Sequence, residues 1–274
     1  MRDFGYFEGR NAVIDARWGD GSVERIDQLA ADLVRSKPQV IITQGGPSTY
    51  PVRRAGATMP VVFVFSGDPV EGGLVDSFAR PGRNFTGISL MSIELIGKRM
   101  ELLKEVMPRL RRVAVFSNPE HPGEQSELRA SEAAAKSLGL ILEYFQVRTR
   151  AELEDVLPFV LTSRSQAIVV FPDAFLMRYS EYISQFAIKN RIPAMSGWAL
   201  FAERGNLMSY GPNLLDSYRR VAFYVDKILK GANPAELPVE LPTTVELVIN
   251  LKAAKALGIT IPQSVVLRTN RVIE

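Results

Sequence analysis

The chain has 274 residues, of which 46% are apolar and 23% are charged, and it carries a net charge of +3 and no cysteine. The length suggests about two domains, and the composition is ordinary for a globular protein. The lack of cysteine excludes disulfides, thiolate nucleophiles and cysteine-based zinc sites, and the scattered positive charge does not favour nucleic acid as a partner. No apolar run approaches the roughly 18 residues of a membrane span.

The N-terminal part of the chain predicts one strand and one helix. The segment NAVIDARW at 11–18 is expected to form the first strand. Ser22 then precedes apolar residues at helical spacing, so we expect it to cap a helix that Pro38 closes.

The next stretch, VIITQGGPST at 40–49, predicts a buried strand, a turn and a helix start. Gly45 and Gly46 permit positive φ and close backbone approach, and Ser48 is expected to cap the N–H groups of the following helix. Because those N–H groups and the positive end of the helix dipole point the same way, the corner suits an anion. An equally direct interpretation is a tight turn and a helix cap that bind nothing.

Strand-like and helix-like segments alternate through most of the remaining chain. Continuous apolar runs are typical of strands covered on both faces, and the S/T-x-x-E spacing of Thr149 and Glu152 indicates a helix start. Strands are expected at 61–65, 86–90, 112–116, 140–147, 167–171, 193–196 and 245–249. Helices are expected from 69 to 78, at 92–107 and 123–138, after 149, and at 175–190, 213–230 and 251–257, with extended segments at 206–210 and 261–273.

The alternation predicts an α/β fold in which crossover helices join parallel strands. Such sheets bind ligands beyond the carboxyl ends of their strands, and polar or small residues end strand after strand in this chain. Helix capping explains Asp68 and Asp173 equally well, and Trp198 is either a core residue or an aromatic ligand contact. The predicted ligand-binding residues are Gln44, Gly45, Gly46, Ser48, Ser66, Asp68, Asn118, Asp173 and Trp198.

The residues do not assemble a catalytic or cofactor site. His121 is the only histidine, and it stands in a loop with proline on both sides, where we expect it to be solvated. One histidine without cysteine leaves too few ligands for a histidine-based metal site. Neither the P-loop pattern nor G-x-G-x-x-G occurs, so we expect no cofactor and no enzymatic activity.

Motifs along nearly the whole chain resemble those of a known family, the substrate-binding proteins of ABC transporters whose better-known members take aromatic or other amino acids. Each motif is weak alone, but their order and spacing are specific. They are GYFEGRN at 5–11, the strand and Gly-Gly-Pro turn at 40–47, PVVFVFSGDP at 60–69, ARPGRNFTG at 79–87, GKRMELLK at 97–104, RVAVFSNP at 112–119, Ser209-Tyr210-Gly211, ILKGANP at 228–234 and ELVINLKAAKALGITIP at 246–262.

The resemblance implies a type I periplasmic-binding fold, with two doubly wound parallel-sheet lobes joined by three crossover segments. Its crossings would fall near 84–90, 206–211 and 237–244, which gives a first lobe of 1–87 and 209–239 and a second of 88–208 and 240–274. The implied function is an extracytoplasmic component of an ABC importer, with a permease and its ATPase as partners. The implied ligand is an amino acid or similar carboxylate in the interlobe cleft, its carboxylate at 46–48 and its ammonium at Asp173.

One departure from the family concerns the N-terminus. Family members begin with a signal peptide, a first strand and most of a helix before the GYFEGRN segment. The first strand of lobe 1 is therefore expected to be missing here, which would expose apolar surface and favour a homodimer. An alternative function is the effector-sensing domain of a transcription regulator, which shares the fold and would need a helix-turn-helix segment. An α/β enzyme would need a base that the chain hardly supplies.

Overall fold

The computed structural model describes residues 1–20 and 22–274. Its strands are β1 Ile41–Gln44, β2 Val61–Phe65, β3 Phe85–Ser89, β4 Arg112–Ser117, β5 Ile141–Gln146, β6 Ala167–Val170, β7 Ala194–Ser196, β8 Met208–Pro212, β9 Val245–Asn250 and β10 Arg271–Ile273. Its helices are α1 Val23–Arg35, α2 Gly45–Arg54, α3 Ile96–Val106, α4 Glu124–Leu138, α5 Arg150–Thr162, α6 Ala174–Arg178, α7 Ser180–Asn190, α8 Ala199–Glu203, α9 Leu214–Leu229, α10 Leu251–Leu257 and α11 Gln263–Val266. Single 3₁₀ turns span Arg2–Phe4 and Pro234–Glu236.

The chain forms two compact units, each built from two separate stretches of sequence. Unit 1 consists of Met1–Leu90 and Leu214–Pro242, and unit 2 consists of Met91–Asn213 and Thr243–Glu274. The expected lobe boundaries after 87, 208 and 239 remain a prediction.

Unit 1 is organised around a parallel sheet of order β1-β2-β3. All five residues of β2 are buried, as its continuous apolar run predicts for a central strand. Phe63 and Phe65 of this strand pack with Ile41 of β1 and Val52 of α2 in one apolar core. The predicted cap of α1 is confirmed, because the hydroxyl of Ser22 accepts the N–H of Arg25 at 3.2 Å.

The strand predicted at 11–18 does not form. The side chain of Asn11 accepts the N–H of Phe7 and donates to the carbonyl oxygen of Gly5, which holds the preceding residues in a tight turn. Residues 13–19 then run without regular structure, and Val13 and Trp18 are 94% and 73% exposed. The strand prediction for this segment was wrong because no neighbouring strand among the described residues pairs with it.

Unit 2 contains a larger sheet of order β10-β9-β8-β7-β6-β4-β5. Its strands pair in parallel except for β8 and β9, which are antiparallel. The central strands β4 and β6 are almost wholly buried, and Val115 and Val169 pack against Met100 and Leu103 of α3 in the larger core. This sheet confirms the predicted α/β class with parallel strands.

Besides the segment at 11–18, two further segments differ from the sequence-based expectation. No helix follows Pro69, and residues 66–78 form successive turns and bends. The reason is that Gly72 and Gly73 disfavour a helix, and Gly73 adopts a φ of 66°. The tail expected to be extended at 261–273 instead contains the short helix α11 before β10.

The capping box before α5 is confirmed, since Thr149 accepts the N–H of Glu152 at 3.2 Å.

Candidate functional site

The first predicted corner lies in unit 1, where β1 meets α2. Gln44 ends β1, and Gly45, with a φ of 68°, opens α2 directly. Ser48 therefore lies within the first turn, where its hydroxyl accepts the N–H of Gln44 at 2.8 Å and donates to the carbonyl oxygen of Gln44 at 2.7 Å. The expectation that Ser48 caps the N–H groups of the following helix was wrong, because the Gly-Gly pair lets α2 begin before Pro47.

Two threonines fix the backbone of this corner. The hydroxyls of Thr43 and Thr49, both buried, lie 2.9 Å apart, and the hydroxyl of Thr49 donates to the carbonyl oxygen of Gly45 at 2.7 Å. Gly46 is buried in the same turn. The first N–H groups of a helix have no intrahelical acceptor, so those of Gly45 and Gly46 suit an anion, and the two threonines hold their backbone in place. Anion binding at this corner remains a prediction.

The second predicted turn, Ser66 to Asp68, follows β2 at the same edge of the unit 1 sheet. Gln44 pairs with Val64 in the parallel register, so both turns leave the sheet at neighbouring positions. Asp68 Oδ1 accepts the N–H groups of Val70 at 2.7 Å and Glu71 at 3.1 Å. That oxygen stabilises a turn, but the interpretation of Asp68 as a helix cap was wrong, because no helix follows it. Ser66, two residues earlier, is buried.

In unit 2 the structure brings Asn118 and Asp173 together. Asn118 follows β4, Asp173 follows β6, and the side-chain amide of Asn118 donates to Asp173 Oδ1 at 3.3 Å. The same oxygen accepts the N–H groups of Phe175 and Leu176, so Asp173 also caps α6. The hydrogen bonds from Asn118, Phe175 and Leu176 all end on Oδ1 of Asp173. Both side chains of the pair are buried, and Oδ2 is the carboxylate oxygen that we expect to contact a cation.

Trp198 lies just before α8, at the end of the neighbouring strand β7. It is 7% exposed, and its indole N–H has no hydrogen-bond partner in the part of the chain that the structure describes. A buried indole N–H normally finds a partner, so Trp198 is a donor available to a further group.

Arg99, a buried arginine in unit 2, was not among the residues predicted from the sequence. Arg99 of α3 is 1% exposed; its Nε donates to the carbonyl oxygen of Tyr210 at 2.8 Å and its Nη1 to that of Ser92 at 2.9 Å. Within the described ranges, Nη2 has no partner. Burial lowers the pKa of Arg99 to about 10, although the charge of Glu127 acts in the opposite sense. The signal in the sequence was a charge on the apolar face of α3, between Ile96 and Met100.

Gly197 explains why the guanidinium of Arg99 fits in this position. A Cβ atom at Gly197 would lie 2.7 Å from Nη2 of Arg99 and 2.4 Å from Cγ of Pro172. The turn between β7 and α8 therefore needs glycine, and its backbone covers the charged group.

The expectation for His121 was wrong: this histidine is buried, not solvated, with 6% of its surface exposed. Its Nδ1 lies 3.3 Å from Oε2 of Glu127, which is 1% exposed, and Oε1 of Glu127 has no partner among the described residues. Burial raises the pKa of Glu127. Burial also opposes the charged form of His121, but its hydrogen bond to Glu127 and the nearby carboxylates outweigh this and raise the pKa of His121.

Neither a metal centre nor a membrane span was found in the described residues. Within 1–20 and 22–274, no group of three or more histidine, cysteine, aspartate or glutamate side chains is arranged to hold a metal ion. Over the same ranges, every helix is too short or too polar to cross a membrane.

Comparison with solved structures identifies the class of fold. A conserved domain protein from Vibrio cholerae matches with a TM-score of 0.93 and 28% identity, over 99% of this chain and 90% of that one. The ABC domain of a Streptococcus pneumoniae protein in complex with L-Trp matches with a TM-score of 0.91 and 25% identity, over 99% and 92% of the two chains. The type I periplasmic-binding fold is thereby confirmed, and the class is that of solute-binding proteins.

The family follows from the sequence comparisons. The family model described as ABC transporter substrate binding protein matches residues 1–273, and the chain belongs to that family. A tyrosine-binding protein of Clostridioides difficile (strain R20291) is 24% identical over 258 residues, which cover 94% of this chain and 74% of that protein. The relatives are solute-binding proteins, so the chain is a substrate-binding protein and not an enzyme.

Proposed function

We propose that the protein is the extracytoplasmic solute-binding component of an ABC importer and that its ligand is an amino acid with an aromatic side chain. The observation that carries the proposal is the similarity, at a TM-score of 0.91 over 99% of the chain, to a domain that was solved with L-Trp. The relative from Clostridioides difficile, described as tyrosine-binding, supports the same ligand class. The family match favours transport over the alternative of an effector-sensing regulator domain.

The chemistry of unit 2 suits the amino end of such a ligand. Asp173 offers a buried carboxylate, and Asn118 donates a hydrogen bond to its Oδ1, which holds the group in place. A ligand ammonium would form a charge-assisted hydrogen bond there. The indole of Trp198 would supply an apolar face and one N–H donor to the ligand.

The chemistry of unit 1 suits the carboxylate end. The first turn of α2 presents Gly45 and Gly46 on a backbone that Thr43 and Thr49 fix, and a helix N-terminus stabilises an anion. The turn of Ser66 and Asp68 would supply further polar contacts. That one ligand uses both sets of residues is the expectation from the family resemblance, and it remains a prediction.

Calorimetry over the twenty common amino acids tests the proposed function. We expect L-tryptophan or L-tyrosine to bind and to raise the unfolding free energy by about 2.7 kcal/mol at a ligand concentration of 100 Kd. Tryptamine, which lacks the carboxylate, and indole-3-propionate, which lacks the ammonium, serve as matched probes and should both bind more weakly. If no amino acid in the panel binds or stabilises the protein, the proposed ligand class is wrong.

The proposal includes a permease with its ATPase as the membrane partners. Radiolabelled uptake in cells that lack the protein, compared with cells that carry it, measures this role directly. We expect uptake of the ligand found by calorimetry to depend on the protein and on ATP. Uptake that is independent of the protein would leave a binding protein without the importer role.

We also propose that unit 1 supports self-association. β1 lies at the edge of its sheet, so one side of this strand has no neighbouring strand among the described residues, although Ser48 pairs with the backbone of Gln44 at its end. Ile42 of β1 is 53% exposed, and Val13 and Trp18, also in unit 1, are more exposed. A sheet edge and exposed apolar side chains both favour association with a second copy.

A further inference from the structure

One imidazole nitrogen of His121 faces two partners that require opposite protonation. Nδ1 lies 3.3 Å from Oε2 of Glu127 and also 3.3 Å from the backbone nitrogen of Gly123. A carboxylate oxygen accepts a hydrogen bond, so Glu127 requires a proton on Nδ1. The N–H of Gly123 donates, so it requires the lone pair of Nδ1. Nδ1 therefore satisfies one of the two partners at a time.

Because the site is buried, the partner that Nδ1 does not satisfy is left without a hydrogen bond. His121 and Glu127 are 6% and 1% exposed, so water does not readily replace a lost hydrogen bond. Acidic groups face the imidazole from two elements: Glu124 and Glu127 from α4, and Asp173 from the segment after β6. A third element, α3, contributes Arg99, whose positive charge lowers the pKa of Glu127 and so opposes the effect of burial. Two atoms of this cluster, Nη2 of Arg99 and Oε1 of Glu127, have no partner in the described ranges, so its hydrogen bonding is incomplete.

The loop that carries His121 also carries Asn118. The N–H of His121 donates to the carbonyl oxygen of Asn118 at 2.9 Å, and the N–H of Glu120 donates to the side-chain oxygen of Asn118 at 3.0 Å. The side-chain amide of Asn118 in turn donates to Asp173. Hydrogen bonds thus connect the backbone of the loop that carries His121 to the Asn118–Asp173 pair, so a movement of this loop reaches that pair.

We propose that His121 is a proton-controlled positioning residue: with a proton on Nδ1 it binds Glu127, without one it binds Gly123, and the exchange shifts the 118–123 loop and the Asn118–Asp173 hydrogen bond. The device goes beyond the proposed function and does not depend on the identity of the ligand. Its physical basis is a two-state hydrogen bond in a site that excludes water. The hydrogen bond to Glu127 and the nearby carboxylates outweigh the opposing effect of burial and raise the pKa of His121, so the midpoint of the exchange lies above the ordinary pKa of histidine.

NMR of the imidazole tests the proposal without a ligand, because His121 is the only histidine in the chain. In ¹⁵N-labelled protein, we expect the Nδ1 signal to change from the protonated to the lone-pair type with a midpoint above about 6.5. The backbone amide of Gly123 and the side-chain amide of Asn118 should shift with the same midpoint. An Nδ1 signal that does not change between about pH 5 and 9, or a titration that leaves the amides of Gly123 and Asn118 unmoved, overturns the proposal.

Three variants separate positioning from a merely structural role. Glu127→Gln removes the charge that favours the proton and should lower the midpoint, whereas Glu120→Gln, which removes an exposed charge from the same loop, should leave it nearly unchanged. His121→Asn should abolish the pH-dependent shift of the Asn118 amide. Equal midpoints in the two glutamine variants, or a persisting Asn118 shift in His121→Asn, refute the device. If Glu127→Gln does not fold, the titration of the unaltered protein still decides.

Discussion

The side-chain amide of Asn118 donates to Oδ1 of Asp173 over 3.3 Å and so joins the carboxyl ends of the neighbouring strands β4 and β6. Both side chains are buried, and the shared oxygen also accepts the first N–H groups of α6. One carboxylate therefore holds a strand end, a helix start and a neighbouring loop together. Its second oxygen is the group we expect to contact a ligand ammonium.

Asp173→Asn should weaken the binding of an aromatic amino acid while leaving the fold largely intact. The amide oxygen of asparagine still accepts the N–H groups of α6, but the negative charge is lost. We expect the Kd of the bound amino acid, measured by calorimetry, to rise at least about tenfold, which corresponds to about 1.4 kcal/mol. Asp155→Asn, the same change at an exposed position of α5, is the control. Equal affinities of the two variants would place the ammonium contact elsewhere.

Thr149→Ala should lower the unfolding free energy by about 1 kcal/mol because it removes the cap of α5. The hydroxyl of Thr149 accepts the N–H of Glu152, and Glu152 returns a hydrogen bond by accepting the N–H of Arg148 at 2.8 Å. Urea unfolding measures the change. Thr149→Ser keeps the hydroxyl and should keep most of the stability; a loss as large as that of alanine would show that packing of the methyl group, not capping, is responsible.

Gly211→Ala should destabilise unit 2 by roughly 3 kcal/mol or more. A Cβ atom at this position would lie 1.9 Å from the carbonyl oxygen of Gly197, so β8 or the β7–α8 turn must move. The matched variant is Gly97→Ala in α3, whose Cβ would lie at an ordinary 3.8 Å from Ala134 and should stabilise the helix by about 0.5–1 kcal/mol. Similar unfolding midpoints for the two variants would contradict the crowding argument.

Stability should fall as the pH rises from about 6.5, the ordinary pKa of histidine. The pKa of His121 is raised in the folded protein, so His121 binds its proton more tightly in the folded state than in the unfolded state. This contribution is complete below the unfolded pKa and is lost as the pH passes the folded one; the raised pKa of Glu127 acts in the same sense. Urea unfolding at a series of pH values measures the slope, which His121→Asn should reduce. An unchanged slope in that variant would assign the pH dependence to other groups.

The self-association proposed for unit 1 should depend on its exposed apolar side chains. We expect sedimentation velocity to show a concentration-dependent dimer that Trp18→Ser weakens by several-fold. Leu267→Ser removes a side chain of similar exposure, 77% against 73%, from unit 2 and should have no effect. A monomer at every concentration, or equal weakening by both substitutions, would exclude this surface.

Local patterns predicted those elements whose causes are local. The apolar run of β2 implied a strand buried on both faces, and the spacing of Thr149 and Glu152 located the start of α5. The segment at 11–18 shows the limit of this reasoning, because strand-forming residues form a strand only when a partner strand is present. The helix expected after Pro69 failed for a different reason: two glycines favour turns more strongly than the neighbouring residues favour a helix.

The candidate site was less predictable because burial is decided by distant parts of the chain. Strand ends directed attention to Asn118 and Asp173, and the topology brings these two residues together. His121 looked solvated because its neighbours are prolines, yet Glu127 of the following helix and the groups around it bury the ring. Arg99 was overlooked because a helical arginine usually faces water, whereas here it donates to the backbone carbonyl groups of Ser92 and of Tyr210, which is distant in the sequence.

The two stretches of unit 1 alternate along the chain with the two stretches of unit 2, so all of unit 1 is synthesised before the last part of unit 2. The second stretch of unit 1 ends at Pro242, before β9 and β10 of unit 2 have been made. A growing chain can therefore complete unit 1 while β8 still lacks its antiparallel neighbour β9 and has an open edge. Until β9 has emerged, the edge of β8 is prone to pairing with other chains, so the pairing of β8 with β9 removes an exposed edge late in synthesis.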